Sequence, residues 1–260
     1  MREQFRTDGV VFLPQALDQH ELDLCEAAYE WSLANPGPAA SSLAAGEPGR
    51  FIQDLNNAAA RSAKPYRQVL EDTRIGSIVA DLWGERDVWF MYEQVFLKEG
   101  GETRRTPWHQ DASYLPVDGE HLVVLWITFD AVGEDESLEL VRGSHRGTLY
   151  NTSRFDPADE TAPIWEGLPR LPDVEADRDQ YDIVSWSFRP GDVLAFHPRM
   201  LHGGAPTHPG GRRRTLSLRF FGPDAVYAQR PGGEAASIVP GRTLKAGDPF
   251  RHEYFPKLPT

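Results

Sequence analysis

The chain has 260 residues, with 39 acidic against 27 basic side chains and a formal net charge of −12. That length can bury a full core, and a single domain spanning residues 1–260 is expected. The acidic excess argues against the phosphate attraction on which nucleic-acid binding depends, and is compatible with a cationic substrate or simply with a soluble surface. No run approaches the roughly 18 to 20 apolar residues of a membrane helix. The opening MREQFRTDGVVFLP lacks the order of a signal peptide. A cytoplasmic protein that binds neither membrane nor nucleic acid is the expectation.

In chain order, residues 9–14 (GVVFLP) form a short apolar strand. Over residues 18–33, Leu22, Cys25, Ala28 and Trp31 or Ser32 recur along one helical face. Cys25 is the only cysteine, so it has no intramolecular disulfide partner, and in this pattern it is a small buried or half-buried side chain rather than a catalytic thiol. Residues 35–49 are rich in Pro, Gly, Ala and Ser and predict a loop. One helix is predicted over 65–83, ended by Gly84, because Val69, Ile75, Ile78, Val79 and Leu82 can share a buried face.

Beyond Arg86 the texture changes to aromatic and β-branched runs: VWFMYEQVFLK, HLVVLWITFD, SLELV, DIVSWSF, DVLAFH and TLSLRFF. Strands following a helical N-terminal third predict a mostly β sandwich or barrel with helices packed outside. A parallel βαβ fold would need helical crossovers, and the later segments have no helical period. Residues 150–181 carry Pro157, Pro163, Pro169 and Pro172 with many acidic residues. A segment so long is either a lid over an active-site mouth or a disordered surface insertion.

In TPWHQD, His109 and Asp111 stand two residues apart, so on a strand they share one face while Gln110 points the other way. An imidazole and a carboxylate at that spacing can take adjacent corners of an octahedral ion. A third ligand would complete the two-histidine, one-carboxylate face of non-haem Fe(II) oxygenases, with three positions open. Alone, His-x-Asp is weak. The later segment GDVLAFHPRMLHGGAP supplies candidates. His202 follows a strand and a proline turn, and its glycines let the backbone pass close to a bound group. His197, before Pro198, competes but has the place of a partly exposed turn residue, and His208 looks like loop surface.

In GGRRRTLSLRFF, a strand would put Arg213, Thr215, Ser217 and Arg219 on one face and Arg214, Leu216 and Leu218 on the other. Two guanidinium groups and two hydroxyls pointing into a barrel make sense if they meet an anion such as a carboxylate. An exposed edge strand is the plain alternative.

The order of these pieces resembles the phytanoyl-CoA dioxygenase-like family: FRTDGVVFLPQAL, KEGG, HQDASYLP, LELVRGSH, the Gly-Asp-Val strand, LHGGAP and the Arg-x-Thr-Leu-Ser strand, together spanning roughly residues 5–225. The resemblance implies a double-stranded β-helix, a distorted cupin-like jelly roll, using Fe(II), O2 and 2-oxoglutarate. It implies His109, Asp111 and His202 as iron ligands. Arg213, with Ser217 and Thr215, would receive the far carboxylate of 2-oxoglutarate, and Lys98 stands at a position that can approach it or face solvent. Related halogenases lack the carboxylate ligand, so Asp111 implies oxygenation of a small molecule, releasing succinate and carbon dioxide. Gln94, Trp108, Tyr114, Trp126 and Arg219 are candidate substrate contacts, although aromatics in such strands also serve as core. Ser137-Leu138 replaces a frequent glycine-led turn, and Gly143-Ser144-His145 does not fit a nucleophile elbow, which leaves a serine hydrolase unsupported. A nonoxidative metal-dependent jelly roll, isomerase-like, and a catalytically silent small-molecule binder are the competing classes.

Overall fold

A computed structural model describes residues 1–43, 50–99, 105–151, 153, 154, 156, 158–204, 206–231 and 244–260. The elements run α1 (Arg2–Asp8), β1 (Val10–Leu13), α2 (Gln19–Ala34), β2 (Ser41–Leu43), β3 (Arg50–Leu55), α3 (Lys64–Asp72), α4 (Ile75–Trp83), β4 (Trp89–Glu99) and β5 (Thr106–His109). Then follow β6 (Val117–Asp118), β7 (Leu122–Thr128), β8 (Leu138–Val141), β9 (Ile183–Val184), β10 (Val193–Phe196), β11 (His202–Gly204), β12 (Arg212–Phe221) and β13 (Val226–Tyr227). The predicted strand over 9–14 and the helix over 18–33 are present.

The start of α2 is set locally. The Asp18 carboxylate accepts from the Glu21 backbone N–H at 3.0 Å while the Glu21 side chain accepts from the Asp18 N–H at 3.0 Å, a reciprocal capping box. Asp18→Ala is therefore expected to cost about 1 kcal/mol of stability, read as a shift of the urea midpoint. An unchanged midpoint would show that packing alone holds this end. Leu22, Cys25, Ala28, Tyr29 and Ser32 form the buried stripe of α2, so Ser32 rather than Trp31 completes the predicted face.

Two expectations change. The single helix predicted over 65–83 is two, broken at Thr73, whose backbone is extended. The break is held by tertiary partners: Glu21 of α2 accepts from the Arg74 backbone N–H at 2.7 Å and from its guanidinium. Thr73 Oγ1 donates back to the Val69 carbonyl at 2.6 Å. Helical periodicity cannot register a break whose anchor lies on another helix. Gly84 ends α4 as predicted, in the left-handed conformation at φ 79°. In the predicted loop over 35–49, β2 pairs antiparallel with β3, Ser41 opposite Gln53. Residues 44–49 lie outside the described residues, as do Gly100 and Gly101 of KEGG and Ala205 of LHGGAP.

The strands form two main antiparallel sheets: a seven-stranded one in the order β1-β10-β7-β12-β4-β3-β2 and a four-stranded one in the order β5-β11-β8-β9. This is the predicted double-stranded β-helix. Side-chain alternation divides the large sheet into two faces. Val95, Leu125, Ile127, Val193, Ala195, Leu216, Leu218 and Phe220 point outward and are buried beneath α2, α3 and α4. The inner face carries the residues in register with Ser217 and Arg219: Tyr92 and Gln94 on β4, Val124 and Trp126 on β7. Trp126, Phe196, Leu194 and Phe188 join Leu140 of the small sheet in the core between the sheets.

Within the segment over 150–181, described residues pack onto the small sheet. Leu171 and Val174 are buried against Trp108, Val141 and Leu201, residues that alternation turns to the outer side of the small sheet. Trp108 Nε1 also donates to Glu175 at 3.0 Å. An apolar sheet face needs a cover, and this segment provides it. Its approach to the interior is at Ser153, whose carbonyl accepts from Tyr114 Oη at 3.2 Å; residues 152, 155 and 157 lie outside the described residues.

Candidate metal centre and anion seat

β5 and β11 are neighbours, and their register sets His109 directly opposite His202. Asp111 lies just past β5, at the start of a short 3₁₀ turn, after Gln110 in extended geometry (φ −123°, ψ 122°). The alternation predicted for a continuous strand thus survives across its end, bringing the two-apart pair to one side. Asp111 Oδ1 lies 3.5 Å from His109 Nε2 and 3.8 Å from His202 Nε2. These three residues form the one group among the described residues able to offer three metal-binding atoms within 4.8 Å of one another.

Both rings are oriented from behind. His109 Nδ1 donates to the Pro107 carbonyl at 2.8 Å, and His202 Nδ1 to the Met200 carbonyl at 3.0 Å. A carbonyl only accepts, so each Nδ1 carries a proton and each Nε2 is the ring atom left facing Asp111 and open to a metal. Burial, with His109 alongside, pushes His202 down to about 4, so it is neutral near pH 7. For Asp111, burial works against ionisation, but the Arg219 guanidinium, His109 and His202 outweigh it and hold the carboxyl well below the usual range. Two imidazole nitrogens and an ionised carboxylate are the donor chemistry that fits a divalent iron.

Gln110 is a positioning residue that strand periodicity does not single out. Its amide donates to the carbonyls of Thr148 at 3.1 Å and Arg199 at 2.7 Å, and its Oε1 accepts from the Tyr150 N–H at 2.8 Å. Buried on the face opposite its neighbours, it anchors the turn bearing His109 and Asp111 to the loops before and after. An amide flanked by two ligand candidates is the signal that could have flagged it.

The three consecutive arginines separate cleanly. Arg212 is exposed, and Arg214 reaches outward to Asp130 and to Glu26 of α2, pinning that helix to the sheet. Arg213 alone is buried on the inner side, opposite Lys98 of β4, with Thr215 and Ser217 buried along the same strand. Arg213 Nη1 donates to the Glu136 carbonyl, and among the described residues no carboxylate lies within ion-pair distance of it. Burial brings its pKa down to about 10, which leaves it cationic at neutral pH. Lys98 is also buried, its ammonium 4.3 Å from the centre of the Phe51 ring, so the solvent-facing alternative for it is excluded. A buried guanidinium lacking an anionic partner, beside a lysine and two hydroxyls, is a seat for a carboxylate.

The remaining candidates scatter. Trp126 and Gln94 face the interior and Tyr114 borders it, whereas Trp108 lies on the outer side under Leu171. Arg219 turns onto Asp111 and Gln94. His197 is buried behind the site, bonded to the Gly119 carbonyl and the Arg199 N–H, and is not gathered with Asp111. His208 is exposed beside Asp135, as predicted. Cys25 is buried and burial pushes its thiol up, so it is inert packing.

A jelly roll that gathers two histidines and one carboxylate between its sheets, near a buried cationic seat, defines a class of mononuclear metal-site proteins. Within that class, the chain belongs to the phytanoyl-CoA dioxygenase (PhyH) family, which matches residues 5–215. The peroxisomal phytanoyl-CoA dioxygenase of Homo sapiens is 28% identical over 146 residues, covering 54% of this chain and 40% of that protein. That of Rattus norvegicus is 27% identical over 147 residues, with the same coverage of 54% and 40%. The match thus spans less than half the length of these curated relatives. Among solved structures, the epimerase SnoN, in complex with Fe3+, alpha ketoglutarate and nogalamycin RO, superposes with a TM-score of 0.73 at 22% identity, covering 98% of this chain and 96% of that one. The non-heme alpha ketoglutarate dependent carbocyclase SnoK gives a TM-score of 0.71 at 23% identity, with 98% and 94% covered. These likenesses establish the shared fold. No helix among the described residues is long and apolar enough to cross a membrane.

Proposed function

We propose that this chain is a single-domain Fe(II)- and 2-oxoglutarate-dependent oxygenase that hydroxylates or otherwise oxidises a small molecule. In this reading His109, Asp111 and His202 hold the iron. Arg213, supported by Thr215, Ser217 and Lys98, receives the far carboxylate of 2-oxoglutarate. The observation that carries it is two sites on the inner side of the fold: three converging donor atoms, and a buried Arg213 with no carboxylate within ion-pair distance among the described residues. Family membership supports the same reading. A nonoxidative metal enzyme would have no need of the second site, and a silent binder no need of either. A cytoplasmic location accompanies this proposal.

When bound, the metal with its cosubstrate and dioxygen supplies the oxidising power, with succinate and carbon dioxide as co-products. The chain's own residues supply placement. The backbone carbonyls of Pro107 and Met200 fix the imidazoles, and Gln110 fixes the turn that carries Asp111. Water is kept from the inner wall by Trp126, Phe188 and Phe196.

The wall also narrows the substrate. Asp111, the carboxylate among the three donors, is already paired with Arg219. A cationic substrate would find that carboxylate already engaged. Gln94, Gln53 and Tyr114 offer neutral hydrogen bonds beside aromatic rings, which suits an uncharged, largely apolar molecule with hydroxyl or carbonyl groups.

Anaerobic addition of Fe(II) and then 2-oxoglutarate tests this reading. A visible metal-to-ligand charge-transfer band is expected on addition of the second component. Iron binding without that band would sink the cosubstrate assignment.

A further inference from the structure

Arg219 is buried, with a relative exposure of 4%, at the inner end of β12, immediately before the irregularity in its pairing with β4. Its Nη2 bridges two acceptors, Asp111 Oδ2 at 2.7 Å and Gln94 Oε1 at 2.6 Å. Its guanidinium carbon lies 4.7 Å from the centre of the Tyr92 ring. Among the described residues no other arginine or lysine lies within ion-pair distance of Asp111. Arg219 Nε and Nη1 are buried with no hydrogen-bond partner among the described residues. A buried cation with two unsatisfied donors is an expense that packing alone would avoid by using an apolar side chain. Its retention calls for a role at the one carboxylate it touches.

We propose that Arg219 is a positioning residue that makes Asp111 a one-oxygen metal ligand, by engaging Oδ2 so that Oδ1 alone faces the two histidines. The inference rests on the metal-centre reading given above. A carboxylate with both oxygens available can chelate through both and take an additional metal position. With Oδ2 held by Arg219, only Oδ1 stands toward His109 Nε2 and His202 Nε2, at 3.5 and 3.8 Å. That arrangement preserves the three open positions that a bidentate cosubstrate and dioxygen require. Gln94 steadies the guanidinium from β4, and its own amide lies within 3.5 Å of Gln53 Oε1 on β3. Arg219 and Arg213 lie on the same strand, so one element both shapes the metal ligand and carries the anion seat.

The test uses anaerobic Co(II) in place of iron on the full chain, reading the dissociation constant by titration and the coordination number from the ligand-field absorption. Arg219→Met is expected to weaken Co(II) binding by about 10- to 100-fold, in the range usual for residues that orient metal ligands, and to change the band shape. Arg219→Lys, which keeps the charge but not the planar fork, should recover the affinity only in part. In an Asp111→Ala background, adding Arg219→Met should change the affinity by less than about threefold, since the effect travels through the missing carboxylate. Wild-type affinity and spectrum in Arg219→Met, or equal losses in both backgrounds, would overturn the proposal. Should Arg219→Met fail to fold by circular dichroism, Arg219→Lys carries the test, and an unaltered spectrum there overturns it. A wild-type protein that binds Co(II) no more tightly than Asp111→Ala would instead bring down the metal-centre reading, and this inference with it.

Discussion

Asp111→Ala is expected to stop turnover, lowering kcat by at least about a thousandfold, equivalent to roughly 4 kcal/mol of lost transition-state stabilisation. Two losses combine. Oδ1 is the third of the converging donor atoms, so its removal leaves two imidazoles and no anionic ligand. The second loss is structural: Arg219, buried and bonded to Oδ2, loses its counter-charge, and an uncompensated buried cation destabilises its surroundings strongly. Succinate release per unit time measures the first, and metal titration with circular dichroism separates it from the second. A folded variant that keeps the wild-type rate would remove Asp111 from the metal's ligands.

Arg213→Met is expected to act differently, weakening 2-oxoglutarate binding by about 100-fold or more while leaving Fe(II) affinity within about threefold. Hydrogen bonds to charged partners contribute roughly 1.5 to 3 kcal/mol each, and a guanidinium fork offers a carboxylate two of them. The metal donors lie on other elements and do not touch Arg213. In the free protein, Arg213 is a buried charge bonded to the Glu136 carbonyl with no ion-pair partner among the described residues. Methionine in its place should leave the melting temperature unchanged or raise it. Added 2-oxoglutarate should stabilise wild type by about 2.7 kcal/mol at a hundredfold excess over its Kd, and the variant by no more than about 0.4 kcal/mol at the same concentration. Equal losses of metal and cosubstrate binding, or none, would show that the carboxylate seat lies elsewhere on the strand.

Much of this was legible from local chemistry. The helix over 18–33 was visible because Asp18 and Glu21 sit three apart and the apolar residues repeat at helical spacing. The inner and outer faces of β12 were visible because a strand alternates, so Arg213, Thr215 and Ser217 necessarily part company with Arg214, Leu216 and Leu218. The same rule joined His109 to Asp111 across Gln110, and it holds although β5 ends at His109. Family resemblance added the roles, which alternation by itself cannot supply.

Other features have no local signature. The break between α3 and α4 depends on Glu21, more than fifty residues earlier. β2 exists only because β3 offers it an edge. Trp108 was a cavity candidate by its neighbours in sequence, yet it is a wall beneath Leu171 and Val174, since alternation turns it away from the side His109 faces.

By itself, then, the sequence determined which residues share a face, where the main strands and helices fall, and that two histidines and an aspartate are available to a metal. Sequence and resemblance already favoured His202 over His197; the tertiary structure supplied the physical reason, the register of β11 against β5 that sets His202 opposite His109. Only the tertiary structure decided what Arg219 does. A guanidinium on an inward face can meet substrate, cosubstrate or ligand, and the choice of Asp111 follows from the approach of two sheets whose contacting residues lie 108 positions apart in the chain. Periodicity fixes direction within an element; what lies in that direction is set by packing between elements, and the chemistry of this site resides there.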